Sequence, residues 1–154
     1  MTVANRIRSY LTRKDVTFEE VAHPPAMSAH GAAVAAHVSD NSLAKGVVLR
    51  TRDRFMLAVV PASHHIRMTA LRKYLGEEVG LATEEEIHEL FGDCDIGAVP
   101  PIGDAYGVET IIDDALLGAP DIYLEGGDHR TLIHLVGEQW RQLTRSMPHA
   151  ALSG

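Results

Sequence analysis

Two short stretches bring together residue types that can do chemistry. In Leu43-Ala44-Lys45-Gly46-Val47-Val48-Leu49 one ammonium is set inside an apolar run. In Gly97-Ala98-Val99-Pro100-Pro101-Ile102-Gly103 the glycines and paired prolines make a stiff loop whose backbone groups are free to meet a ligand. Taken alone, Lys45 reads as a strand-end lysine that snorkels to water. The second stretch, with its stiff loop, is what raises the reading of a site. A third stretch, Gly127-Asp128-His129-Arg130, forms a hairpin tip that either places His129 beside a ligand or is a plain polar turn.

Nucleophilic and metal chemistry lack their signals. Cys94 stands between Asp93 and Asp95, and adjacent carboxylates raise a thiol pKa and disfavour the thiolate. There is no Gly-x-Ser-x-Gly elbow, no Gly-x-x-x-x-Gly-Lys phosphate loop and no His-Glu-x-x-His. The nine histidines do not show the helical spacing of a metal site. Asp113 and Asp114 are adjacent, so their side chains diverge and make a poor acid/base pair; on composition Asp114 is the better cap for the turn that follows.

The elements that position these residues follow from periodicity. Alternation puts Lys45 on one strand face with Val47 and Leu49, and Phe55 to Val60 is the partner strand. Val3, Ile7, Tyr10 and Leu11 recur at helical spacing, and Val16 to Val21 follows as a short strand broken by His23-Pro24-Pro25. Ser28 is the expected N-cap of an alanine-rich helix to about residue 37. A helix with Met68, Leu71 and Leu75 on one side stops at Gly76, and Val79 to Ala82 is a strand. Thr83-Glu84-Glu85-Glu86 is a capping box that opens another helix. Strands at Val108–Ile112, Asp121–Glu125 and Thr131–Val136 and a helix at Gly137–Thr144 complete the series. About seven strands and five helices predict an α/β fold, a single domain over residues 1–154 with a mixed sheet curled towards a barrel. Residues 146–154 are expected to form a flexible tail.

Composition narrows the partners. The net charge of −7 argues against broad nucleic-acid binding, and no DNA partner is expected. The charge is uneven: residues 1–73 carry +6 and residues 74–154 carry −13. Arg50, Arg52, Arg54, Arg67, Arg72 and Lys73 are therefore candidates for contacting phosphate, although the first three also suit a solvated hairpin turn. No apolar window is long enough for a membrane span and the N-terminus lacks a signal-peptide core, so a cytoplasmic protein without membrane contact is expected. A single cysteine excludes an internal disulfide and a cysteine-clustered zinc site.

The assembled pieces resemble the YbaK/prolyl-tRNA synthetase-associated editing domains, which include free-standing aminoacyl-tRNA deacylases. The matching pieces are His23-Pro24-Pro25 with Ser28, Ala44 to Leu49, Leu57 to Pro61, Leu71 to Leu75, Leu81 to Glu85, Gly97 to Gly103 and Ile112 to Leu117. Together they span nearly the whole chain, from about Tyr10 to Val136. The resemblance implies a compact YbaK-like domain with a pocket for an amino acid esterified to the 3′ end of tRNA, and hydrolysis of that ester in trans. Lys45 takes the place of the family's key lysine, with Gly97, Ala98, Val99, Pro100 and Pro101 holding the ester carbonyl and developing oxyanion. Ser28, Asp113 and His129 are implied as further substrate-binding residues. Neither metal nor cofactor is implied, and the nucleophile is a water positioned by the substrate's own ribose hydroxyl. The implied partners are the aminoacyl-tRNA acceptor end and an aminoacyl-tRNA synthetase or elongation factor. The rival expectation is a non-catalytic module that keeps the pocket but only binds. Two positions depart from the pattern. Gly46 stands where many relatives have a polar residue, which is expected to widen the pocket, and Ile102 replaces a frequent aromatic in the expected pocket wall.

Overall fold

The apolar run around Lys45 becomes the middle of a sheet, because both of its faces have hydrophobic layers to cover. In the computed structural model, which describes residues 3–95 and 97–154, β2 (Leu43–Thr51) and β3 (Phe55–Pro61) form an antiparallel hairpin with Lys45 opposite Val60 and Val47 opposite Ala58. The polar residues between them close the turn through Thr51 and Arg54.

Six further strands extend the sheet: β1 (Glu19–Ala22), β4 (Val79–Leu81), β5 (Glu109–Asp113), β6 (Asp121–Glu125), β7 (Thr131–Val136) and β8 (His149–Ala150). The order is β1-β7-β6-β2-β3-β5-β8, with β4 also paired to β2. The β2–β6, β3–β5 and β5–β8 pairs are parallel and the others antiparallel, so the sheet is mixed. Five α-helices surround it among the described residues: α1 (Asn5–Arg13), α2 (Ala29–Ala36), α3 (Met68–Leu75), α4 (Glu84–Leu90) and α5 (Gly137–Thr144). The result is a single compact α/β domain. None of these helices is long and apolar enough to cross a membrane.

Alternation divides β2 between two layers. Ala44 and Val48 join the main core with Ile7, Leu11, Phe91, Leu124 and Trp140, whereas Leu49 joins Met56, Leu71 and Leu152 on the other face. Leu43 belongs to a third cluster with Ala32, Ala33 and Leu132 under α2.

The structure departs from the sequence expectation at two places. The first strand starts three residues late, because Val16 donates its amide to Leu11 O and closes the end of α1, and the Thr17 amide is taken by Gln139 Oε1. The C-terminal residues expected to fray are packed instead. Strand β8 pairs with β5, Leu152 is fully buried, and Gly154 and His65 exchange backbone hydrogen bonds. That adds the eighth strand to the seven read from periodicity.

Candidate active site

The site arises where the sheet forks. The β2–β6 ladder runs only from Leu43–Tyr123 to Ala44–Leu124, and the β2–β4 ladder begins at Leu49–Leu81. On this edge of β2 the backbone of Ser42 accepts from Tyr123 and that of Val48 accepts from Ala82. Because backbone groups alternate sides along a strand, the N–H and C=O of Gly46 point into the gap between the two ladders. A cavity of about 300 Å³ fills that gap.

Its walls are mostly apolar, formed by Leu43, Val47, Val48, Ile87, Phe91 and Val99 among others, with Gly97 from the stiff loop. Lys45, Glu84, Asp95 and Glu125 bring charge into it. Lys45 is half-buried, and this desolvation lowers its pKa below the ordinary lysine range, against an opposing pull from Asp40. An ammonium held partly out of water interacts strongly with an anionic or carbonyl oxygen.

The loop meets this cavity through Gly97 and Val99, while Ala98, Pro100 and Pro101 are buried behind them. Gly97 adopts φ +82°, a left-handed conformation that side chains rarely take. A β-carbon on Gly46 would crowd Leu57 Cδ1 at 3.0 Å and stand at ordinary contact distance, 3.4 Å, from Pro101 Cα, so a side chain there would point at the core leucine and the proline loop. Ile102, expected in the pocket wall, is 1% exposed within the main core.

His129 comes to the same region from the β6–β7 hairpin. It is buried with φ +62°, its Nδ1 donates to Ala26 O at 3.0 Å, and its ring lies against Gly97. The turn is set by Asp128, whose Oδ1 accepts from the amides of Arg130 and Thr131. His129 thus buttresses the loop rather than lining the cavity. His23, from the His-Pro-Pro segment, is buried nearby with Nδ1 donating to Pro24 O at 2.7 Å, and its Nε2 has no partner among the described residues.

Glu125 is the cavity residue that periodicity did not single out. Burial raises its pKa above the ordinary carboxylate range, against the Gly127 amide and the neighbouring His129 and His23, with Asp128 adding to the rise. The signal available in the sequence was a glutamate ending an apolar strand immediately before a Gly-Gly turn, a position read only as a strand end.

Other expected residues lie elsewhere. Ser28 caps α2, its Oγ accepting from the Gly31 amide at 3.0 Å, and sits beside the cavity-lining Ala29. Asp113 does not reach the cavity. Its carboxylate accepts from the Ala115 and Leu152 amides and the Ser153 hydroxyl, so it caps the turn and ties down the C-terminal strand. Asp114, expected as the cap, pairs instead with His149 Nδ1 at 2.6 Å. Three of the arginines proposed for phosphate are engaged by acids: Arg50 by Glu86, Arg54 by Glu77 and Glu109, and Arg72 by Glu78. Cys94 lines the cavity but its thiol is pushed up to about 12, chiefly by burial and further by Asp93 and Asp95, against a hydrogen bond with Tyr106. It is no nucleophile. Among the described residues no group of three or more His, Cys, Asp or Glu is arranged to hold a metal ion.

Known proteins resemble this chain in sequence and fold. A proline–tRNA ligase of Thermosipho africanus is 33% identical over 88 residues, covering 56% of this chain and 16% of the ligase. The chain therefore spans about a sixth of that relative's length. A solved structure provisionally named a trans-editing enzyme for prolyl tRNA synthetase superposes with a TM-score of 0.84 at 26% identity, covering 98% of this chain and 96% of its own. A hypothetical protein of solved structure shares the fold at a TM-score of 0.86 and 20% identity, over 97% of this chain and 100% of its own. The model of the aminoacyl-tRNA editing domain matches residues 23–143, which contain the forked sheet, Lys45, the glycine–proline loop and His129. The chain belongs to the aminoacyl-tRNA editing domain family.

Proposed function

We propose that this chain is a trans-editing deacylase that hydrolyses the ester joining a wrongly attached amino acid to the 3′ end of tRNA. The observation that carries this reading is the meeting of Lys45 with Gly97 and Val99 in one small, mostly apolar cavity at the fork of the sheet. Such a pocket excludes bulk water, which strengthens each polar contact made inside it.

In this reading the Lys45 ammonium polarises the ester carbonyl or holds the terminal phosphate, and backbone groups of the Gly97–Pro101 loop stabilise the oxyanion as it develops. A water positioned by the neighbouring ribose hydroxyl adds to the carbonyl carbon. The tetrahedral intermediate then expels the ribose oxygen, which takes up a proton, leaving a free amino acid and uncharged tRNA. No side chain of the cavity need act as nucleophile, in keeping with the inert Cys94 thiol. With the chain at −7 and several arginines already paired to acids, the enzyme grips the acceptor end rather than the whole tRNA, helped by a synthetase or elongation factor.

The test is a deacylation time course with alanyl-, seryl-, threonyl- and cysteinyl-tRNA, each carried on mismatched tRNA, for wild type and Lys45→Ala in the presence of chelator. Release of one amino acid that is lost in the variant and indifferent to chelator supports the proposal. Absence of release from every substrate overturns it for this panel and leaves a module that binds without turnover.

A further inference from the structure

Lys45 and Glu125 are next in register where the sheet forks. The last bonded pair of the parallel β2–β6 ladder is Ala44–Leu124. In a parallel pair matched residues share a face, so one residue further on Lys45 and Glu125 project to the same side, on strands that lie about 4.8 Å apart where they are paired. Both line the cavity, yet among the described residues no ion pair joins them. Beside them the C=O of Gly46 faces the same gap.

Among the described residues the one hydrogen bond to the Glu125 carboxylate is long, 3.4 Å from the Gly127 amide, and His129 and His23 are its nearby sources of positive charge. A mostly buried carboxylate with so little donor support is stabilised by a cation that enters the cavity. Lys45 does not supply one at contact distance. Resting on the editing reading above, the substrate does: an amino acid esterified through its carboxyl group carries a free α-ammonium one carbon from the carbonyl that Lys45 addresses.

We infer that Glu125 is the acceptor for the α-ammonium of the esterified amino acid, with the Gly46 carbonyl as a second acceptor, and so a specificity-determining residue that restricts the site to esters with a free amine. A cation and a carboxylate lining one cavity then read the two ends of one small unit, carbonyl and amine. Esters of N-acylated amino acids, and the ends of peptidyl-tRNA, lack the positive charge and are refused.

Two measurements test this, one independent of turnover. In the first, wild type and Glu125→Gln are compared on the best aminoacyl-tRNA of the panel and on its N-acetylated form. The expectation is that wild type prefers the free amine at least tenfold in kcat/KM, and that the variant loses most of that preference through KM, with Glu125→Asp recovering part of it. In the second, binding of 3′-alanylamino-3′-deoxyadenosine, an amide that cannot be hydrolysed as the ester is, is compared with that of its 3′-propionylamino counterpart, which lacks only the amine. Tenfold tighter binding of the amine by wild type, abolished in Glu125→Gln, supports the assignment even if no substrate is turned over, in which case the deacylase reading alone fails. An unchanged preference in Glu125→Gln overturns it, as does equal or undetectable binding of both analogues by wild type. Thermal unfolding of each variant establishes that it is folded.

Discussion

The ring of His129 lies against Gly97 so closely that a β-carbon on Gly97 would stand 3.4 Å from His129 Cε1. These residues are far apart in sequence, and their contact holds the wall of the cavity opposite its own supporting turn. Gly97 also has φ +82°. Gly97→Ala is therefore expected to cost about 1 kcal/mol from backbone strain, the added carbon touching the His129 ring at ordinary contact distance. Urea denaturation will show the lowered midpoint, and in the proposed deacylation assay the folded variant is expected to be slower than wild type.

Asp113 is a structural residue in this fold. It is buried, and its two oxygens accept from Ala115, Leu152 and Ser153. Asp113→Asn removes the charge from these bonds and turns an amide towards two donors, which is expected to destabilise the domain by about 2 kcal/mol. A lower denaturation midpoint, and faster proteolysis of the 149–154 segment under native conditions, would register it.

His134 gives the domain a stability that depends on pH. Burial disfavours its charge, but hydrogen bonds to Asp121 at 2.7 Å and Glu19 at 3.0 Å outweigh this and raise its pKa above the ordinary histidine value. The unfolded chain holds that proton less tightly. The stabilisation is therefore fully present below the ordinary histidine value and disappears as pH rises through the raised one. It is on the order of 0.5 kcal/mol for so exposed a set of carboxylates. His134→Gln should flatten the fall in unfolding free energy between pH 6 and pH 8.

Glu125 acts with the same sign on the acid side of the profile. Its raised pKa means that folding favours the protonated carboxyl, so its contribution is largest below the ordinary glutamate value and is lost as pH climbs through the raised one. Glu125→Gln removes the buried charge. The variant should melt at a higher temperature than wild type at pH 7, with the difference closing near pH 4, as followed by circular dichroism. A stabilising substitution that impairs substrate selection is expected of a residue kept for binding.

The Cys94 thiol, pushed up to about 12 and bonded to Asp93 and Tyr106, should resist alkylation. Iodoacetamide at pH 8 is expected to modify it only after urea unfolds the chain, which mass spectrometry will read directly.

Much of this fold is local and therefore legible from residue order. The capping box at Thr83, the Ser28 cap and the Gly76 stop each act within one helical turn, and all three are found as their residue types require. The β6 and β7 strands and α5 lie where alternation and helical periodicity put them. The loop at Gly97 and the lysine at Lys45 could be recognised as candidates because their residue types are unusual in their settings.

What residue order left open depends on which distant segments meet. Asp113 and Asp114 are equivalent neighbours until β8 arrives beside β5, giving one the Leu152 amide and the other His149. The arginines of the basic half look available until the acidic half folds against them. Glu125 is an ordinary strand end until β6 is laid parallel to β2 and the ladder stops one residue short of Lys45. The periodicity of a strand says which side chains share its face, but only the pairing of strands says which charges stand together. That pairing, set by burial of the whole core, is what brought a lysine and a glutamate 80 residues apart in sequence into the lining of one cavity.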